Sequence, residues 1–184
     1  MKKNILILTF FLIGYSSFSQ NVYLTKHAKV DFFSSTLIED IKAVTNDAIS
    51  ILKIESKEVS FGMSIKSFKF ENGLMQEHFN ENYMESDKFP SAKFKGTISD
   101  VTNFDFKKDG IYPVKISGSI TIHGVSKDIK TKAIFTIKNG KISAKSIIKL
   151  KPEDFKIEIP SIVRGKIAKE LAVNIFAEYE VYKK

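Results

Sequence analysis

Cysteine and tryptophan are missing from the 184 residues, proline occurs four times, and Arg164 is the sole arginine among 29 basic residues. Without cysteine the chain has no disulfide, no zinc-thiolate or iron–sulfur site, no thiol nucleophile and no lipid-modified N-terminal cysteine. With one arginine it lacks the bidentate forks on which base-specific readout leans, so nucleic acid is not an expected partner. The formal charge of +8 is therefore carried by lysine and suits a diffuse basic surface. What remains, 43% hydrophobic and 27% charged residues, is ordinary globular composition and excludes a collagen-like, mucin-like or wholly disordered chain.

Long apolar runs are also scarce. The first one, Ile5 to Ile13, follows Lys2 and Lys3 and leads into Ser17-Phe18-Ser19, a small-x-small exit. Basic residues, a short apolar stretch and small residues form the pattern of a cleaved secretory signal. The run is well short of the roughly 20 residues that span a bilayer. Residues 1–19 are thus expected to be a signal peptide and 20–184 a single domain, placed in the periplasm or secreted. An uncleaved anchor or a buried first strand is the competing reading. No linker or internal repeat divides the remainder, and about 165 residues suit one domain with a sizeable core.

Period-two alternation dominates that remainder, and it sends alternate side chains to opposite faces of a sheet. Val59, Phe61, Met63 and Ile65 alternate with small or polar residues, as do Ala92, Phe94, Gly96 and Ile98. Val114, Ile116, Gly118, Ile120 and Ile122 form a third face, and Ile129, Thr131, Ala133, Phe135 and Ile137 a fourth. Asn139-Gly140 follows at once, the strongest short hairpin signal, because a type I′ turn needs positive φ at both central residues. Ile142 to Leu150 and Leu171 to Tyr179 continue the rhythm, and two earlier strands are expected over 26–33 and 40–51. The pattern predicts a mainly β protein, an antiparallel barrel of about eight strands. Closure would abolish its edges.

One segment breaks the alternation. Leu74, Met75, Phe79 and Tyr83 fall at helical spacing behind Gly73, predicting a short amphipathic helix as an insert. A second helical turn is expected over 161–169, opened by Pro160. The lysines face outward, and the opposite faces hold long, branched and aromatic residues, many of the 16 phenylalanines among them. Such an interior can be filled by its own side chains or leave room for one elongated ligand.

Residues suited to catalysis are few. His27, His78 and His123 lie in three different elements without a metal-ligand spacing. Phosphate loops and Gly-x-Ser-x-Gly are missing, and the neighbouring acids Glu39-Asp40 and Glu153-Asp154 point opposite ways in extended chain. The residues give no reason to expect an enzyme, a catalytic residue, a metal or a cofactor. The lysine-rich exterior is a solvated face or one that makes transient contact with an anionic membrane surface. Oligomeric state stays open, a homodimer included.

The segment from Glu77 to Phe94, with Glu77-His78-Phe79-Asn80-Glu81-Asn82-Tyr83 at its head, resembles the YceI-like family. So do Gly118-Ser119-Ile120-Thr121-Ile122-His123-Gly124-Val125-Ser126-Lys127 and Asp154-Phe155-Lys156-Ile157 before Pro160. These motifs stand in the family's order across residues 22–182. The resemblance implies a lipocalin-like antiparallel barrel, exported in many members, that binds polyisoprenoid or related amphipathic lipids. Gln76-Glu77 stands where many members carry Arg-Asp, so no Arg-Asp role is carried over.

On that footing the leading expectation is an exported, non-enzymatic carrier of an isoprenoid lipid or a quinone, held as ligand rather than cofactor. An isoprenoid chain offers apolar surface alone; each buried methylene contributes about 0.8 kcal/mol, and two isoprene units roughly 6–8 kcal/mol before ordering costs. That suffices for micromolar binding. The candidate lining is Phe61, Met63, Ile65, Phe68, Phe70, Met75, Phe79, Tyr83, Phe94, Ile120, Ile122, Phe135 and Val173, with His78 and Arg164 as head-group partners. The competing expectations are a stress-associated or protein-interaction module with a filled barrel, and an enzyme acting on a lipid head group through His78 or His123.

Overall fold

The computed structural model describes residues 22–99 and 104–182, and the expected signal peptide at 1–19 lies outside them. The strands are β1 (Val22–Ser35), β2 (Asp40–Lys53), β3 (Glu58–Ser64), β4 (Lys69–Phe70), β5 (Ser91–Ser99), β6 (Gly110–Ile122), β7 (Val125–Lys138), β8 (Lys141–Leu150) and β9 (Leu171–Val181). Eight of them close into an antiparallel barrel in the order β1-β9-β8-β7-β6-β5-β3-β2, with β2 returning to β1. The two-residue β4 pairs with β2 alone, through Ala43↔Phe70 and Val44↔Lys69.

Alternation decides which side faces in. Val114, Ile116, Ile120 and Ile122 of β6 are buried, as are Ala133, Phe135 and Ile137 of β7, while Lys115, Lys132 and Lys138 are exposed. Gly96 faces Gly118 across β5 and β6. A Cβ on Gly118 would lie 2.3 Å from the Lys95 carbonyl oxygen, so this crossing admits glycine alone.

The β7–β8 hairpin turns through Asn139 and Gly140 at φ 52° and 74°, the type I′ geometry that the dipeptide predicts. The Asn139 N–H donates to Asp109 Oδ2 at 2.9 Å, tying this turn to the start of β6. A second turn of the same kind joins β6 to β7 through His123 and Gly124, at φ 50° and 72°.

The two ends of the barrel differ. At one end the first and last described residues meet, and the Tyr182 N–H donates to the Val22 carbonyl at 2.8 Å. The other, helical end carries the β1–β2 hairpin tip, the β6–β7 turn and two long connections. The first holds helix α1 (Gly73–His78), which runs on as a π turn over Phe79–Tyr83. The expected helix over 74–83 is therefore α-helical only in its first half. Its start is set by Asn72, whose side chain accepts from the Leu74 and Met75 N–H groups at 2.9 and 3.2 Å. The second connection holds 3₁₀ turns at Pro152–Phe155 and Arg164–Lys166. The helical turn expected over 161–169 thus shrinks to three residues, because successive bonds reach back only three positions.

Candidate functional site

Inside the barrel lies a cavity of about 110 Å³, bounded almost wholly by apolar atoms. Phe61, Met63, Phe94, Ile120, Ile122, Phe135 and Val173 line it, so the structure gathers seven of the expected lining residues around one space. Ile129, Ala133, Ala144, Ile148, Ile175, Ala177 and Tyr179 complete much of the wall. These lie on the same period-two faces and were legible there; phenylalanine and branched side chains drew the expectation away from the alanines.

A second apolar cavity of about 90 Å³ lies under the helical end. It takes Phe70, Met75, Phe79 and Tyr83 from the expected set and adds Phe32, Ile41, Ile157, Ile159, Ile167 and Leu171. The two spaces follow one another along the barrel. Val30 and Val173 line the inner one, and Phe32 and Leu171, two residues on along β1 and β9, line the outer one. The rings of Phe32, Phe68, Phe70 and Phe79 pack edge-on or tilted between 5.0 and 5.9 Å and close the outer chamber.

Four expected residues stand elsewhere. Ile65 falls in a 3₁₀ turn, Ile65–Ser67, rather than continuing the β3 alternation, and with Phe68 it is buried in the core outside both cavities. His78 is exposed at the end of α1. Arg164 is exposed and donates to the Ile159 carbonyl at 3.3 Å. Neither basic residue lines a cavity, because each sits in a connection whose inward positions are taken by isoleucine, methionine or phenylalanine.

The buried Tyr179 hydroxyl beside the cavity is paired. Ser50 Oγ lies 2.8 Å from Tyr179 Oη and 3.1 Å from the Ser60 carbonyl, to which it donates. Burial pushes the Tyr179 hydroxyl up to about 12, against a smaller lowering by the Ser50 bond. The phenol is thus a neutral, internally paired group that leaves the chamber wall hydrocarbon.

Among the described residues, the one histidine that meets a carboxylate is His123. Its Nε2 lies 2.8 Å from Glu85 Oε2 and its Nδ1 3.1 Å from the Phe155 carbonyl, which can only accept. The side chain is 9% exposed, with the Phe89 ring 4.3 Å away edge-on. Both nitrogens are engaged and neither faces a cavity, so this histidine is a clip: it joins the β6–β7 turn to the π-turn exit and to the 152–155 turn. The bonds also offset the strain of positive φ at His123, Glu85 and Lys156. Lys127 adds a bond to Asp154 at 2.6 Å. Among the described residues no group of three or more His, Asp or Glu could hold a metal ion.

Several solved structures share this fold. A polyisoprenoid binding domain from Saccharophagus degradans, implicated in plant cell wall breakdown, superposes with a TM-score of 0.75 at 14% identity, over 89% of this chain and 99% of that one. Burkholderia cenocepacia BcnA gives 0.70 at 11% identity, over 84% and 96%. The Campylobacter jejuni YceI protein gives 0.64 at 22% identity, over 82% and 90%. The search among curated proteins found no match. At these identities the structures establish a shared fold, and membership rests on sequence: the YceI-like domain profile matches residues 22–179, from the first barrel strand to the last, so the chain belongs to the YceI-like family.

Proposed function

We propose that the barrel is an exported, non-enzymatic binding protein for an apolar chain of isoprenoid type, such as a polyprenol or the tail of a quinone. The observation that carries this reading is the interior itself: two chambers in line, walled by hydrocarbon, beside which the buried Tyr179 hydroxyl is already paired with Ser50. A chain without polar groups is what such a wall accepts, since any unpaired polar atom placed there would forfeit its hydrogen bonds to water. The polar end of the ligand then stays at the helical end, outside the chambers. The polyisoprenoid-binding relative supports the ligand class, and the hydrophobic segment before residue 20 supports export.

The size of the chambers sharpens the reading. An apolar cavity of ~150 Å³ takes one benzene ring, so about 110 Å³ takes a fragment of a chain. A longer chain requires side chains between the chambers to move aside and join them. The alternative is the filled barrel, in which these spaces are packing remainders and the outer surface does the work.

Native mass spectrometry of the purified full chain, before and after loading with farnesol and geranylgeraniol, separates the two. Binding that strengthens with chain length supports the carrier. Ala144→Leu, which fills the inner chamber from β8, is expected to weaken binding at least tenfold without lowering the unfolding midpoint. No bound prenyl alcohol at any length overturns the carrier and leaves the filled barrel.

A further inference from the structure

We infer that the helical end of the barrel is a membrane-docking face that inserts aliphatic side chains from two ordered turns into a lipid bilayer. This rests on the carrier reading for its purpose but not for its geometry.

Leu37, at the tip of the β1–β2 hairpin, is fully exposed at 108% of its reference area, and its neighbour Ile38 is 67% exposed. Ile162 is 90% exposed in the turn opened by Pro160, and Leu74 is 59% exposed on α1. These segments meet at one end of the molecule. The Ala168 N–H donates to Ser34 Oγ at 2.8 Å, Lys166 pairs with Glu39 at 3.5 Å, and Ile38 Cδ1 lies 3.2 Å from where a Cβ on Gly165 would stand.

The tips are held in place. Thr36 Oγ1 accepts from the Ile38 and Glu39 N–H groups at 3.2 and 3.1 Å, while the Thr36 N–H donates to the Glu39 carbonyl. The Val163 N–H donates to Pro160 O at 3.1 Å and the Lys166 N–H to Val163 O at 2.9 Å. Each turn therefore displays a large aliphatic side chain outward on a fixed backbone. Single exposed hydrophobic residues are unremarkable, but a group gathered on rigid tips at one end marks an interaction surface.

Shape and charge select the partner. The side chains project as separate points with no wall beside them, so their cover must flow around each, as lipid headgroups and acyl chains do. The charges of these segments nearly cancel: Lys166 is paired with Glu39 and Lys149 with Glu170 at 3.0 Å, and Lys42, Arg164 and Lys169 share the same stretches of chain with Asp40 and Glu158. A balanced rim fits a zwitterionic headgroup layer and makes no call on the net positive charge of the barrel wall. Behind this face lies the outer chamber, lined by Ile41, Ile159 and Ile167 from the docking segments. A lipid tail leaving the bilayer here would meet hydrocarbon directly.

The test is flotation of the full chain with phosphatidylcholine vesicles, in low and high salt, beside the double variant Leu37→Glu/Ile162→Glu. Binding to neutral vesicles that persists in high salt, and falls at least tenfold in the variant, is the expected result. The variant should keep the wild-type unfolding midpoint, because both side chains are solvent-exposed. Binding that requires anionic lipid and vanishes in salt overturns the docking face in favour of the lysine-covered wall. A wild-type dimer that the variant converts to monomer overturns it in favour of a second copy of the chain. Vesicle binding in a protein that takes up no farnesol leaves the docking face standing and removes the carrier reading. Farnesol uptake with no vesicle binding does the reverse.

Discussion

At the end where Val22 and Tyr182 meet, Phe104 and Phe106 lean on Phe135, with ring centroids 5.4 and 6.1 Å from it, and Tyr112 packs 5.1 Å from Phe104. Phe135 is 1% exposed and stands in β7, a strand paired on both sides. At the helical end Phe79 makes a comparable set of ring contacts, yet it comes from a helix and π turn in which no residue is buried. Both ends are stopped by aromatic rings, and only one stopper is part of the barrel wall. The lesson is that closure and rigidity are separate properties: local opening draws on elements with few buried contacts, and here such an element covers the outer chamber.

Four measurements can break or sharpen this contrast. The largest effect is expected at the rigid end, where Phe135→Ala should lose about 3–5 kcal/mol in chemical denaturation; a loss below 1 kcal/mol would show that this ring is not held by the wall. Next comes ionisation of Tyr179. Its folded-state value of about 12 lies above the ordinary 10, so its contribution is complete below pH 10 and is lost as pH rises toward 12. Two units amount to about 3 kcal/mol, and Tyr179→Phe should flatten the stability–pH curve over that interval.

Phe79→Ala, by contrast, should cost about 1–2 kcal/mol, since the ring is half-exposed and its packing is only partly withdrawn from water. Hydrogen exchange should reveal its effect as faster opening of residues 73–83 with the β6–β8 amides unchanged. If the whole barrel loosens together, the two ends are one cooperative unit. Smallest of all is Asn72→Ala, which removes the cap of α1 at about 1 kcal/mol and should shift exchange in the same segment only.

Much of the barrel was legible because one rule, alternation, governs it. The inward faces of β3, β5, β6, β7, β8 and β9 could be named from spacing, and Asn139-Gly140 fixed one hairpin. The helix over 74–83 showed itself by breaking the rule. What stayed hidden depends on contacts across long sequence gaps. His123-Gly124 forms the same turn as Asn139-Gly140, but histidine tolerates positive φ there through Glu85 and Phe155, 38 and 32 residues away. The closure of the outer chamber depends on Phe32 meeting Phe68 and Phe79, which no local pattern announces. Ile65 and Phe68 were drawn into the expected lining by their chemistry, and the 3₁₀ turn at 65–67 rotated them into the core.

The bond between Tyr182 and Val22 has a practical corollary. Since the first and last described residues leave the barrel side by side, a tether joined at either of them pulls on the same face, and that face is opposite Leu37 and Ile162. Immobilising the protein through either tail on a sensor chip would hold it upright with its greasy tips pointing into the flow, the orientation in which vesicles passed over the chip could reach them.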